Sequence, residues 1–173
     1  MKSSTYWKAV LVDREDFLDR VLEFLRSSGI RYCVVGGTGV NAYAYPVVTE
    51  DLDIVVAEDQ IEALEAGLAR HFKVRRFPNS VNVSEPPSKL QVQIQTDPRY
   101  FGFEKHAEIR DVMDFRLPVA RVQDILQGKV WAAMDSARRQ SKRQKDLADI
   151  ARILEVSPDL RDRVPEELLS RLL

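Results

Sequence analysis

The stretch that most constrains this chain is residues 32–56, YCVVGGTGVNAYAYPVVTEDLDIVV. An apolar run at 32–35 stops on Gly36 and Gly37, and a second run at 51–56 carries Asp51 and Asp53 at alternate positions. Side chains on a strand alternate faces, so Asp51, Asp53 and Val55 project one way and Leu52, Ile54 and Val56 the other. At about 3.3 Å of rise per residue, the two carboxylates stand roughly 6.5–7 Å apart. Two anions on one face of an apolar strand repel each other and lose hydration, and a shared cation relieves both costs. Mg²⁺ suits such a pair, since it takes few carboxylates and leaves room for phosphate oxygens and water. A wet edge strand, with both carboxylates merely solvated, explains the same pattern.

Gly36 and Gly37 precede an expected short helix at 38–45, closed by Pro46. A glycine pair lets the backbone approach a phosphate with no Cβ in the way, and a helix N-terminus favours an anion. Thr38 adds a hydroxyl donor. A plain strand-to-helix turn uses the same residues. GGTGVNA has neither P-loop nor dinucleotide-binding spacing.

The remaining periodicities place this stretch in an α/β (α+β) chain. Asp13 is expected to cap a helix whose Phe17, Leu18, Val21, Leu22 and Leu25 recur at helical spacing until Gly29. Asp59 is expected to cap a second, carrying Ile61, Leu64, Leu68 and Phe72. Short strands are expected at 73–77 and around Val81 and Val83. A clean strand at 89–96 sets Leu90, Val92 and Ile94 against Gln91, Gln93 and Gln95. A helical turn is expected at 103–108, a partial strand at 112–119, and helices at 122–137, 145–154 and 166–172. The chain therefore divides into a core at residues 1–120 and a helical segment at 121–173 packed on it.

A net charge of −1 over 173 residues argues against a global field for nucleic acid or membrane. No apolar run approaches the roughly 20 residues of a membrane span, and residues 1–16 lack a signal-peptide pattern, so a cytoplasmic protein is expected. The single cysteine, Cys33, sits in an apolar strand and reads as a buried thiol. His71 and His106 have no carboxylate or cysteine at ligand spacing, and Tyr6 and Trp7 read as packing groups.

The glycine pair, the short helix and the TEDLDI segment together resemble the DNA polymerase β-like nucleotidyltransferase superfamily. More narrowly they resemble the bacterial minimal nucleotidyltransferases and the AbiEii-type toxins, and KRQKDLADIARIL resembles their site-closing helix. The resemblance implies a nucleotidyltransferase fold with a mixed sheet and flanking helices. It implies nucleoside triphosphate at Gly36, Gly37, Thr38, Thr49 and Lys129, and Mg²⁺ (or Mn²⁺) on Asp51 and Asp53. It further implies catalytic roles for Asp51, Asp53, Lys145 and the residue at 93, and transfer of a nucleoside monophosphate to an RNA, protein or small-molecule acceptor.

Two positions depart from the family pattern. Val47 stands where an arginine is common. Gln93 stands where a third carboxylate is expected, and an amide cannot accept a proton at neutral pH; Asp97 lies four residues on. The alternative is therefore a catalytically impaired nucleotide-binding or partner-binding module, in a toxin–antitoxin setting. On spacing alone, Lys145 and Asp149 form a surface pair one helical turn apart, with Asp146 beside them. Arg138, Arg139, Lys142 and Arg143 concentrate positive charge that suits RNA or an acidic protein, and an exposed interhelical loop equally.

Overall fold

The computed structural model describes residues 17–112 and 115–172; the Asp13 cap, Tyr6 and Trp7 lie outside them. Helix α1 (Phe17–Ser27) buries Phe17, Leu18, Val21 and Leu25, the apolar stripe of the sequence. Strand β1 (Tyr32–Val35) runs directly into α2 (Gly36–Asn41), so the glycines form the first turn of the helix rather than a loop before it. The helix stops short of 45 because Asn41 brackets Val47. Its Oδ1 accepts from the Val47 N–H at 3.1 Å, and its Nδ2 donates to the Val47 carbonyl at 2.7 Å.

Next come β2 (Asp51–Val56), α3 (Ile61–Leu68), β3 (Lys73–Phe77), β4 (Ser80–Ser84) and β5 (Gln91–Gln95). The chain then forms β6 (Glu108–Val112), β7 (Phe115–Val119), α4 (Val122–Met134), α5 (Gln140–Val156) and α6 (Glu166–Leu169). The seven strands make one mixed sheet, ordered β3-β4-β5-β2-β1-β7-β6. β2 is antiparallel to β1 and parallel to β5, and β1 is parallel to β7. A central β2 removes the wet-edge account of Asp51 and Asp53.

Several boundaries differ from expectation for local reasons. Asp59 does not cap α3: a 3₁₀ turn at Glu58–Gln60 leads the helix, and Asp59 pairs with Arg31 at 2.6 Å. Glu108 opens a strand rather than closing a helical turn, because β6 pairs with β7 along its length. α4 ends at Met134, where Asp135 Oδ1 takes the Ala137 N–H at 2.9 Å. α5 begins at Gln140, ahead of the expected 145.

The core is continuous across the sheet and the C-terminal helices. Val34, Ile54, Val92 and Ile94 share one buried cluster with Ile125, Val130, Ile150 and Ile153. On β5 the buried residues are Val92 and Ile94, so its glutamines face away from the core, as alternation requires. Cys33 is fully buried, and burial pushes its thiol up to about 12, so it is a packing group and not a nucleophile.

Candidate functional site

The exposed face of β2 and β5 and the facing sides of α4 and α5 enclose a cavity of about 280 Å³. Asp51 and Asp53 lie on its floor with Gly36, and parallel register sets Gln93 beside Asp53 and Gln91 beside Asp51. Val35 faces Asp53 across β1, which puts the start of α2 directly over the second carboxylate. Gly36 has a φ of 64°, and a Cβ there would lie 2.1 Å from Asp53 Oδ2. Glycine is required at this position by both backbone and space.

Threonines fix the backbone of the first carboxylate. Thr38 Oγ1 donates to the Asp51 carbonyl at 3.2 Å, and Thr49 Oγ1 does so at 3.3 Å while accepting the Asp51 N–H at 3.4 Å. Gly37 packs on Thr49, and neither it nor the two threonines line the cavity. These residues therefore sit behind Asp51 in this structure, not at the front of the cavity.

Both carboxylates are harder to ionise than a solvated aspartate. Burial pushes Asp53 up to about 6, with Asp51 adding to the rise and Lys129, Arg138 and Lys142 opposing it. Burial also raises Asp51, against the nearby Lys142 and Lys145. Among the described residues, neither carboxylate accepts a hydrogen bond or joins an ion pair. Anions that are costly to ionise and have no direct partner fit one divalent cation whose remaining ligands are phosphate and water. No group of three or more His, Cys, Asp or Glu residues suited to a metal occurs among the described residues.

Opposite the floor, the cations are organised by a buried ion network. Lys129 Nζ lies 3.2 Å from Asp146 and 2.8 Å from Asp149, and Arg138 Nε donates to Asp146 at 2.7 Å. Burial works to depress Lys129, but Asp149, Asp146 and Asp53 outweigh it and hold the ammonium above its ordinary value. The expected Lys145–Asp149 surface pair is not formed: Asp149 turns inward to Lys129 and Arg152, and Lys145 is exposed and outside the cavity. Arg152 extends the network to the glycine helix, donating to Asn41 Oδ1 at 2.5 Å and to the Tyr45 carbonyl at 2.6 Å. Its side chain is only 14% exposed. Arg152→Ala is expected to cost about 2 kcal/mol, since it strips the part-buried Asp149 and Asn41 side chains of a donor; urea unfolding measures it.

The basic cluster divides. Arg138 and Lys142 line the cavity, Arg143 donates to the Ala133 carbonyl at 3.0 Å, and Arg139 is exposed. Sequence reasoning did not single out Asn79, Ser80, Arg99 or Tyr100, which close the β5 end. Asn79 comes from a turn, Ser80 from the first position of β4, and Arg99 and Tyr100 from a 3₁₀ segment, none marked by a local period. Tyr100 packs edge-on to Trp131 and donates to the Gly128 carbonyl at 3.4 Å, and burial pushes its hydroxyl up to about 12. Asp97 lines the cavity but is held by Arg99, whose side-chain hydrogen bonds keep its carboxyl low.

A central strand bearing two aspartates, beside a helix that begins on glycine and beneath two helices that carry cations, defines the nucleotidyltransferase fold. Solved structures agree. The lincosamide antibiotic adenylyltransferase LnuA superposes with a TM-score of 0.55 at 13% identity, covering 80% of this chain and 97% of that one. The antibiotic-resistance factor ANT(2″)-Ia gives 0.57 at 9% identity, covering 84% and 90%. A nucleotidyltransferase-like protein of Paracoccidioides brasiliensis gives 0.53 at 15%, covering 98% and 84%. The sequence profile of the nucleotidyl transferase AbiEii toxin family, of type IV toxin–antitoxin systems, matches residues 16–172. The chain belongs to that family. No curated protein matches the sequence. Among the described residues, no helix is long and apolar enough to cross a membrane.

Proposed function

We propose that this chain binds a nucleoside triphosphate with Mg²⁺ (or Mn²⁺) and transfers its nucleoside monophosphate to an acceptor, as a bacterial cytoplasmic toxin. The observation that carries this reading is the pair Asp51 and Asp53: both raised by burial, both without a direct partner among the described residues, and both facing Lys129, Arg138 and Lys142 across one cavity. Bound to these carboxylates, Mg²⁺ supplies charge neutralisation for the triphosphate oxygens. Gly36, with no Cβ, lets the start of α2 lie against the Asp53 carboxylate, and Arg138 and Lys142 supply positive charge for the departing pyrophosphate. Lys129, fixed by Asp146 and Asp149, orients the same chain of phosphates. LnuA and ANT(2″)-Ia are an adenylyltransferase and an antibiotic-resistance factor, the latter also solved with adenylyl-2″-tobramycin. They support nucleotide transfer and leave the acceptor open.

A specific observation favours the impaired-module reading: Gln93 holds the register position beside Asp53. Incubation of α-labelled triphosphates with total RNA and protein extract separates the two. Label transfer that disappears in Asp51→Asn and Asp53→Asn is expected. Tight triphosphate binding without transfer to any component establishes the module instead.

A further inference from the structure

The sheet face that carries Asp51 and Asp53 continues beyond the cavity. Cross-strand neighbours share a face, so the registers trace it outward from β2 to the edge strand β3. One row runs Asp53, Gln93, Asn82, Arg75, and the next Asp51, Gln91, Ser84, Lys73. A third row sets Gln95, Ser80 and Phe77 beside them. Two contacts bear out the shared face. Asn82 Nδ2 donates to Gln91 Oε1 at 3.5 Å, and the Arg75 guanidinium lies over the Phe77 ring, 4.9 Å from its centre. The opposite face is the packed one: Val81, Val83, Val92 and Ile94 are buried, and Arg76 turns to Glu65 on α3.

Outward of the two aspartates, no strand position on this face holds a carboxylate among the described residues. Amides and hydroxyls on β5 and β4 give way at the edge to the exposed cations Lys73 and Arg75, with Phe77 36% exposed beside them. Charge on an edge strand also guards against pairing with a stray strand. That purpose is indifferent to sign and has no use for an exposed aromatic ring. Neutral hydrogen-bonding groups, cations beyond them and a guanidinium stacked on a ring match a strand of nucleic acid. Phosphates meet the cations, a base stacks on the platform, and sugar hydroxyls meet the amides. Three strand spacings of about 4.8 Å put β3 about 14 Å from β2, the length of about four stacked nucleotides.

Resting on the nucleotide site proposed above, we infer that this face is the acceptor's docking track. The acceptor is a single strand of nucleic acid, held at Lys73, Arg75 and Phe77 with its end at Asp51 and Asp53. The strand's terminal hydroxyl oxygen forms the new bond to the α-phosphorus. The bond from that phosphorus to the bridging oxygen breaks, its electron pair leaves with pyrophosphate, and the hydroxyl proton passes to water.

The test follows the fluorescence anisotropy of a short labelled single strand, as RNA and as DNA, on the full chain without triphosphate or metal. Phe77→Ala is expected to weaken binding about ten-fold. Arg75→Gln is expected to lower the slope of log affinity against log salt by about 0.7. Arg76→Gln, on the same strand but the other face, is expected to change neither. The tighter probe identifies RNA or DNA. With Mg²⁺ and α-labelled triphosphates, label is expected on that strand, with KM for the strand raised about ten-fold in Phe77→Ala and KM for the triphosphate unchanged. Absence of binding, binding that ignores Phe77→Ala and Arg75→Gln, or an equal loss in Arg76→Gln overturns the inference. Equal displacement by poly-glutamate, which marks a surface for acidic protein, overturns it too, as does a strand that never takes label from protein that binds triphosphate. Protein that binds no triphosphate sinks the site reading instead, and the anisotropy still decides the surface.

Discussion

Asp53→Asn is expected to stabilise the metal-free protein by about 2–3 kcal/mol at pH 7 while abolishing its Mg²⁺-dependent affinity for a triphosphate. Burial raises Asp53 from 3.8 to about 6. At about 1.4 kcal/mol per pKa unit, ionising it in the folded state costs roughly 3 kcal/mol at neutral pH. The pH dependence has a definite sign. The folded carboxyl binds its proton more tightly than the unfolded one, so the folded state holds more protons between about pH 4 and 6. Stability from this group is therefore present below that window and is lost as pH rises through it. The wild type should gain stability on acidification from pH 7 toward pH 4 relative to Asp53→Asn, and the gap between them should close. Denaturant unfolding at several pH values, with chelator present, reads both effects. Equal stability of the two proteins at pH 7 would mean that Asp53 is already neutralised by a group in the chain.

Gly36→Ala carries the second large effect. A residue with a Cβ in the left-handed region costs about 1–2 kcal/mol, and here that Cβ also meets the Asp53 carboxylate at 2.1 Å. Either the helix start or Asp53 must move, so a loss of about 3 kcal/mol or more is expected. Gly29→Ala is the matched control. Its φ is 63° but no atom lies within 4 Å of the added Cβ, so only about 1 kcal/mol is expected. Thermal unfolding of the two variants separates backbone strain from the clash. Similar losses in both would remove the argument that Gly36 is there to make room beside Asp53.

The fold was legible wherever a local period carried it. The alternation of β2 and β5 and the stripe of α1 read directly from the residues, and the glycine and aspartate pairs placed the chain in its family. Long-range order was not legible. Nothing local shows that β2 is central or that β5 runs parallel to it, yet those two facts bring Gln93 beside Asp53. The Lys145–Asp149 spacing suggested a surface pair because helical neighbours are the partners a sequence makes visible. Burial instead gave Asp149 to Lys129 on another helix and to Arg152, and left Lys145 in solvent. Glu108 carries no strand signal for a related reason: an exposed edge strand has little apolar alternation to announce it.

Asp51 and Asp53 are expected to bind a triphosphate through a divalent cation. Isothermal titration of each of ATP, GTP, CTP and UTP into the wild type and Asp53→Asn, with Mg²⁺ and then with chelator, tests it most directly. Saturable binding of at least one triphosphate by the wild type, lost both on chelation and on substitution, is expected. Binding that survives both would contradict it.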